Sequence, residues 1–265
     1  MFVLNEGQYT GNIVNKVQVE GSIITHTHYS APNSSPDWHY HQNLHICFVF
    51  QGGKSETKKR TLYTQKAGSI FFYHPEEVHR WVSPEPISKS ANIEISDDFL
   101  KKYYLSPANI QMALQKNVDT RALILKMQRE MLLAPTDDHT NLLMLLLELV
   151  STPPSVAGSG VLPKWVCLVD ELLQDRWNEH LSLHQMASLV GVHPVTISKH
   201  FRKYFHCTFG EYQRKLKIDR SIALIKNSDM ILSEIAHYCG FVDQSHFIKN
   251  FKERTGFLPK HFQQL

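Results

Sequence analysis

Two segments near the C-terminus repeat one pattern, in which a helix leads through a tight turn into a second helix. They occupy residues 182–205 and 231–259, and in each an alanine is followed four residues later by a glycine. The pairs are Ala187 with Gly191 and Ala236 with Gly240. A small residue lets the second helix cross the first closely, and glycine adopts the left-handed backbone of the turn. The repeat therefore predicts two helix-turn-helix units, which are typical of a protein that reads two successive major grooves of DNA.

Charge divides the chain in a similar way. Residues 1–160 carry 14 Lys/Arg and 15 Asp/Glu, whereas residues 161–265 carry 14 Lys/Arg and 10 Asp/Glu. The net charges of −1 and +4 favour a nucleic-acid-binding half beside a near-neutral half. A solvated basic helix face would give the same asymmetry, so charge alone leaves both interpretations open.

Composition limits the class of protein further. Hydrophobic content of 42% with charged content of 20% is typical of a soluble globular protein. The N-terminus lacks the basic start and apolar run of a signal peptide. The most apolar stretch, residues 142–150, is far shorter than the ~20 residues that a membrane-spanning helix needs. The four cysteines have no paired spacing, which argues against a disulfide framework or a cysteine zinc site, so we expect a cytoplasmic protein with no membrane partner.

The pattern of residues separates the chain into four parts. Residues 1–96 contain short β-branched or aromatic runs between glycines and prolines, which predict a β domain. Residues 97–150 have a helical pattern, and residues 151–163 are rich in proline, glycine and serine and predict an interdomain linker. Residues 164–265 are helical throughout and contain both predicted helix-turn-helix units.

The second unit carries the most specific signature in the chain. Residues 234–259 read EIAHYCGFVDQSHFIKNFKERTGFLP, and residues 164–265 resemble the DNA-binding domain of the AraC family of bacterial transcription regulators. The matching positions are Ile235, Ala236, Gly240, Phe241, Ser245, Phe247, Phe251, Lys252, Gly256 and Pro259. The resemblance implies an all-α domain with two helix-turn-helix units that binds promoter DNA.

The second recognition helix is predicted to have a buried and an exposed face. Phe247 and Phe251 are four residues apart and share the core face. Asp243 is placed to cap the N-terminus of the helix. The polar residues on the other side can bond to base edges or phosphates, although exposed polar residues without a special role are the alternative. The predicted DNA contacts are Gln244, Ser245, His246 and Lys249.

The first recognition helix follows the same plan with one departure. Pro194 suits the first helical position, but His193 stands where the family usually has serine, which predicts a weaker N-cap. Ile197 and Phe201 are predicted to face the core. The predicted base-edge contacts are Val195, Thr196, Ser198 and Lys199, and the predicted phosphate contacts are Arg202 and Lys203.

Between the two units, residues 209–226 predict a long linking helix. Such a helix helps to hold two recognition helices about one DNA turn apart. Lys217 and Ser221 stand where the family usually has arginine and alanine, and both departures are mild.

Histidines cluster in the β region. His39, His41 and His45 are separated by even numbers, so on one strand their side chains would share a face, and a return strand could bring His79 opposite them. Together with Gly52, their spacing resembles the two cupin motifs, with His45 at the position of the usual glutamate. The resemblance implies a cupin-like β-barrel, a fold that binds a metal through three histidines and one glutamate. Many AraC-family regulators carry such an effector domain in front of the DNA-binding half.

Two interpretations of this cluster stay open. In the first, His39, His41, His45 and His79 hold a divalent transition metal such as Zn, Ni, Cu or Fe. In the second, the histidines line a pocket for a small organic effector. The predicted effector-pocket residues are His39, His41, His45, His79, Tyr73 and Trp81. Further candidates for aromatic walls are Trp38, Tyr40 and Phe72.

The middle region predicts helices near residues 97–104, 119–133 and 138–150, each beginning with aspartate. Leucines make the third helix apolar on nearly all sides, so we expect it to be buried in its own domain or in a partner. The resemblance favours a homodimer formed through the second and third helices. Packing against the barrel of the same chain is the alternative.

These observations predict a two-domain α+β protein, with an N-terminal cupin-like β-barrel, trailing helices and a C-terminal all-α double helix-turn-helix. We expect a sequence-specific DNA-binding transcription regulator, an activator by resemblance, without catalytic residues. Its partners would be promoter DNA, a small-molecule effector and, for an activator, RNA polymerase. The alternatives are a metal-dependent cupin enzyme with a helical appendage and an architectural DNA-bending protein whose barrel is filled and inert.

Overall fold

The computed structural model describes residues 1–30, 35–58, 61–82, 87–133, 138–151 and 162–265. Two β-sheets form the N-terminal part, and helices form the rest. This arrangement confirms the predicted fold class, a sheet-rich N-terminal region followed by a helical C-terminal region.

The strands of the described residues form two five-stranded sheets. They are β1 Phe2–Leu4, β2 Asn12–Val19, β3 Ser22–Ser30, β4 Ser35–His41, β5 Leu44–Gln51, β6 Lys54–Lys58, β7 Thr61–Gln65, β8 Ile70–Tyr73, β9 His79–Val82 and β10 Ile87–Ile95. One sheet has the order β1-β4-β9-β6-β7 and the other β2-β3-β10-β5-β8. β1 pairs with β4 in parallel, and the other pairings are antiparallel.

Strand β5 shows how the second sheet is held. Ile46 and Phe48 lie on the face that packs into the large apolar cluster shared with the helices. Cys47 points the other way, into a small cluster with Tyr73. A strand covered on both faces reads as a continuous apolar run, which is the pattern of residues 44–50. This sheet therefore lies between the helices and the inner space of the N-terminal region.

Four helices follow the sheets in the described part of the chain: α1 Asp97–Lys102, α2 Pro107–Lys116, α3 Thr120–Leu133 and α4 Thr140–Val150. The sequence did not predict α2. The N-cap of α1 is Ser96, whose side chain accepts a hydrogen bond from the Phe99 N–H at 3.2 Å. Asp97 lies in the first turn, where a negative charge favours the helix N-terminus.

Helix α4 is buried on one side within the chain, and its burial in a partner stays a prediction. Leu142, Leu146 and Leu149 are in the core, whereas Met144 is 62% exposed. The buried side packs on α3 and α2.

The C-terminal region is built from α5 Lys164–Asp175, α6 Leu183–Val190, α7 Pro194–Phe205, α8 Phe209–Asn227, α9 Leu232–Tyr238, α10 Gln244–Thr255 and α11 Pro259–Gln264. Helices α6 and α7 form the first predicted unit, and α9 and α10 form the second. Helix α8 is the predicted linking helix. The predicted linker at residues 151–163 lies outside the described residues, apart from residues 151, 162 and 163.

Two main apolar clusters stabilise the helices. The larger runs from the second sheet through α3 and α4 to Phe247 and Phe251 of the second unit. The smaller holds the first unit, with Ile197 and Phe201 at its centre and both fully buried. Within the described ranges, no helix is both long and apolar enough to cross a membrane.

Candidate DNA-reading helices and histidine cluster

Helix α10 presents the predicted contacts of the second unit on its outer side. The Asp243 carboxylate accepts a hydrogen bond from the His246 N–H at 2.7 Å, which confirms the predicted N-cap. Phe247 and Phe251 are fully buried, as expected. The four predicted contacts, Gln244, Ser245, His246 and Lys249, are all exposed. Their exposure makes them accessible to DNA, and their role in binding it stays a prediction.

Helix α7 has the same division. At the N-cap that the sequence predicts to be weaker, Nδ1 of the His193 imidazole accepts the Val195 N–H at 3.3 Å. The bond is longer than the one made by Asp243. Of the predicted contacts, Thr196 is half-buried, and the others are exposed: Val195, Ser198, Lys199, Arg202 and Lys203.

Lys217 has a structural role that the sequence did not reveal. Its ammonium group donates to the Gly240 carbonyl at 2.8 Å, so it ties α8 to the turn of the second unit. Gly240 has φ +70, and a Cβ there would lie 2.0 Å from the Asn178 carbonyl oxygen, so glycine is required. Burial lowers the pKa of Lys217. Lys217, which stands where the family usually has arginine, is thus a buried cation that holds the turn of the second unit in place.

Three of the four histidines come together. His39 and His41 lie on β4, and His79 lies on β9, where it pairs directly with His39. One ring nitrogen of each lies within 4.8 Å of the others, and all three side chains are buried. The return strand expected from the sequence is therefore present.

Backbone carbonyls orient two of the three rings of this triad, those of His39 and His79. Nδ1 of His39 lies 3.2 Å from the Asp37 carbonyl oxygen, and Nδ1 of His79 lies 2.8 Å from that of Glu77. If each Nδ1 carries the proton and donates it, Nε2 keeps a lone pair, as in histidines that bind metals. Burial lowers the pKa of His79 to about 3 and also depresses the pKa of His41. The imidazoles of His41 and His79 are consequently neutral near pH 7, the state in which they can bind a cation.

His45 is not on the strand of His39 and His41, so its expected place on one strand with them is wrong, although its ring lies against that of His41 with the centroids 4.2 Å apart. A bend at residues 42–43 ends β4, and His45 lies on β5 in the other sheet. Its Nε2 is 3.1 Å from Oδ1 of Asn92, and its ring stacks on Tyr73 at 5.1 Å. His45 therefore lies beside the triad with partners of its own.

The space enclosed by these residues is small. A cavity of about 30 Å³ is lined by all six predicted effector-pocket residues: His39, His41, His45, Tyr73, His79 and Trp81. Pockets for organic ligands usually measure about 300–1,000 Å³, so this one accommodates an ion or a water molecule and not a sugar ring.

The expected aromatic walls are only partly present. Trp38, Tyr40 and Phe72 do not line the cavity. Trp38 and Tyr40 alternate with the two histidines of β4 and so lie on the opposite face, while Phe72 packs against the large core.

Comparison with known proteins bears on the helical region. A family model described as a helix-turn-helix domain matches residues 186–265, which begin within α6 and include all of the second unit. The transcriptional regulator GbdR of Pseudomonas aeruginosa is 33% identical over 93 residues, covering 35% of this chain and 25% of that protein. The transcriptional activator RhaS of Salmonella arizonae is 24% identical over 251 residues, covering 88% of this chain and 89% of that protein.

The C-terminal region is a helix-turn-helix domain of the AraC family. This AraC-type domain contains both recognition helices and the linking helix α8 described above. The chain spans about a quarter of the length of the regulator GbdR. Among solved structures, ToxT from Vibrio cholerae is 14% identical with a TM-score of 0.38, and the match covers 92% of this chain and 98% of that one.

Proposed function

We propose that this protein is a sequence-specific DNA-binding transcription regulator. The observation that carries the proposal is the pair of recognition helices, α7 and α10, each with its apolar side in a core and its polar side exposed. Helix α8 joins the two units and contacts α7, α9 and α10. Two recognition helices on one scaffold suit the reading of two successive major grooves.

The exposed side chains divide by chemistry into two groups. Gln244 can form a bidentate contact to adenine, and Ser198 and Ser245 can bond to several bases. Arg202 and Lys203 on α7 are exposed cations that suit phosphate oxygens. We expect the first group to set sequence preference and the second to set overall affinity.

The test is selection of binding sites from a random duplex library, followed by affinity measurements with single variants. Gln244→Ala should cost about 1–3 kcal/mol and relax the preference at one base pair. Lys203→Ala should weaken binding to all sequences alike and lower the dependence on salt by about one phosphate.

Lys116→Ala provides the matched control, because Lys116 is an exposed lysine on α2, outside both units. Its affinity should equal that of the unchanged protein. Selection that enriches no sequence would overturn the proposal.

We further propose that the protein activates transcription as a homodimer in the cytoplasm, in contact with RNA polymerase. Support for activation is the similarity to RhaS, named a transcriptional activator. Support for a dimer is the exposure of two leucines at the end of α3, Leu132 at 50% and Leu133 at 59%. Sedimentation of Leu133→Glu should show a smaller species than the unchanged protein, and purified polymerase should produce more transcript when the protein is added.

A second proposal concerns the histidine triad, which we propose binds a divalent transition metal that regulates the protein. The supporting observation is the convergence of His39, His41 and His79 around a cavity too small for an organic effector. Nitrogen donors of this kind suit Zn, Ni, Cu or Fe. A bound ion would offset the cost of burying three polar rings and fix β4 against β9.

Metal content per chain, measured by elemental mass spectrometry on untagged protein purified without chelators, tests this site. We expect near-stoichiometric metal in the unchanged protein and loss of that metal in His79→Ala. His74→Ala is the control, since His74 is an exposed histidine five residues away and should leave metal content unchanged. Metal-free protein that also fails to take up Zn, Ni, Cu or Fe in dialysis would remove the proposal.

A further inference from the structure

A groove lies where the second recognition helix, α10, meets helices α3 and α4 of the N-terminal half. It is a cavity of about 700 Å³ between α3, α4 and α10. Its volume lies within the range of about 300–1,000 Å³ that is usual for small-molecule sites. It is distinct from the histidine cavity and shares no residue with it.

Cations from two separate parts of the fold line this groove. Lys126 and Arg129 come from α3, and Lys249 and Lys252 come from α10. Among the described residues, Lys126, Arg129 and Lys252 form no ion pair, and Lys249 has only an exposed contact of 4.0 Å with Glu253. The positive charges that line the groove repel one another, and an anion bound among them would offset that repulsion.

The net charge of the side chains that line the groove indicates the charge of an anion that would suit it. Two carboxylates, those of Glu130 and Glu253, also line the groove. Four cations against two carboxylates leave a formal charge of +2, the sum of the side chains that line the groove. A phosphate monoester carries about −1.5 to −2 at pH 7 and would compensate that charge.

Besides the charged residues, the lining holds the polar Asn141 and an apolar part. Met144 and Leu145 of α4 line the wall, and Met144 is 62% exposed in the free chain. Methionine is flexible and adapts to ligands of irregular shape. Gly256 ends α10 with φ +82, and a Cβ there would lie 2.6 Å from Cδ of Arg129, so the glycine leaves room for this arginine to cross the helix end.

From these features we infer that the groove binds a small organic phosphate, a dianion with an apolar part. The phosphate lies among the lysines and Arg129, and the apolar part lies on Met144 and Leu145. The DNA backbone is the other source of phosphate, but it has no apolar part to cover Met144.

A regulatory consequence rests on the proposed function. Lys249 lines the groove and is also a predicted DNA contact. A phosphate bound beside it withdraws that cation from DNA and fixes α10 against α3. Because binding at one site changes affinity at the other reciprocally, an organic phosphate should weaken DNA binding.

Titration calorimetry of the full chain with n-octyl phosphate, inorganic phosphate and n-octanol tests the site. We expect n-octyl phosphate to bind at least tenfold more tightly than either of the others. The double variant Lys126→Ala/Arg129→Ala, which keeps every predicted DNA contact, should lose at least tenfold in affinity for n-octyl phosphate. Lys116→Ala is the control and should bind like the unchanged protein.

Equal binding by the double variant and the control would overturn the inference, as would the absence of n-octyl phosphate binding at millimolar concentration. Equal affinity for n-octyl phosphate and inorganic phosphate would show an unspecific basic surface and would also overturn it. DNA affinity with and without n-octyl phosphate is measured separately. If the ligand binds but no DNA sequence does, the proposed function fails while the site stands.

Discussion

The two helix-turn-helix units share a plan but belong to different cores. The first unit packs in a cluster of its own with α5 and the start of α8, and among its described apolar neighbours only Val118 comes from the N-terminal half. The second unit shares one continuous cluster with the sheet and with α3 and α4, in which Phe251 and Leu146 both take part. One reader is therefore almost independent of the N-terminal half, whereas the other is built into it.

Polar contacts strengthen the same division. Asp119, at the start of α3, forms ion pairs with Lys215 of α8 and Arg254 of α10. Arg254 also donates to the Val118 carbonyl at 2.7 Å. Arg121 pairs with Asp219 of α8 at 2.7 Å. These contacts attach α8 and α10 to the N-terminal half, so a change in that half can reach DNA through the second unit.

The largest expected effect compares Phe251→Ala with Phe201→Ala, both at fully buried phenylalanines. Each should cost about 3–5 kcal/mol of stability, but at different places. Hydrogen exchange by segment should show that Phe251→Ala loosens α10 together with α3 and α4. Phe201→Ala should loosen α5 to α7 and leave α3 and α4 protected. The comparison would be broken if both variants loosened the same segments.

Asp119→Asn should have the next largest effect. It removes the carboxylate that forms an ion pair with Arg254, whose side chain is only 11% exposed. We expect a loss of about 2–3 kcal/mol, because a largely buried cation loses its direct partner and keeps only the attraction of Asp219. Urea denaturation measures the loss, and hydrogen exchange should locate it in α10 and not in α7.

Asp175→Asn is the control for that variant, since Asp175 is exposed at the end of α5. It should change stability by less than about 0.5 kcal/mol. A comparable loss in both variants would mean that the Asp119 contacts contribute nothing specific.

The sequence predicted the two units well because their determinants are local. An alanine and a glycine four residues apart fix a helix crossing, and phenylalanines at helical spacing fix a core face. Asp243 could be assigned as a cap for the same reason: its partner, the N–H of His246, is three residues away. The arrangement of the two units within different cores was not predicted, because it depends on contacts between distant parts of the chain.

Contacts between distant parts of the chain also explain why the sequence did not predict the arrangement of the histidine cluster or the ion pairs between α3 and the C-terminal helices. The even spacing of His41 and His45 suggested one strand, but the bend at residues 42–43 sends them to different sheets. Asp119 and Lys215 are 96 residues apart, and no local pattern links them. Helix α2 escaped prediction because it buries only Ile110 and Ala113, too few for a clear apolar stripe.

The next largest effect should come from acid, which we expect to destabilise the second helix-turn-helix unit more than the first. Burial, and then the charges of His28 and Lys89, lowers the pKa of His26 to about 4, and this ring lies 3.0 Å from the Gln128 side chain of α3. Because the unfolded chain protonates His26 near pH 6.5 and the folded chain does not, the stabilising contribution of His26 is complete above that pH. This contribution falls as pH drops from 6.5 towards 4, by about 1.4 kcal/mol at pH 5.5.

Urea midpoints at pH 7.5 and 5.5 measure this loss, with His26→Gln as the comparison. The variant should lose about 1 kcal/mol less than the unchanged protein between the two values of pH. Hydrogen exchange at pH 5.5 should weaken first in α3 and the second unit. An identical dependence on pH in both proteins would exclude His26 as the cause.

The smallest expected effect is the difference in stability lost when the N-cap of each recognition helix is removed. Asp243 accepts its hydrogen bond at 2.7 Å and places a negative charge at the helix N-terminus, whereas the His193 ring accepts at 3.3 Å. Asp243→Ala should therefore cost about 1 kcal/mol, and His193→Ala about 0.5 kcal/mol or less. His193→Ser should add a few tenths of a kcal/mol, because a hydroxyl reaches the N3 amide better. Urea denaturation that ranks the two alanine variants the other way would mean that the imidazole cap is the stronger one, and that the reader most independent of the N-terminal half is also the one better fixed at its start.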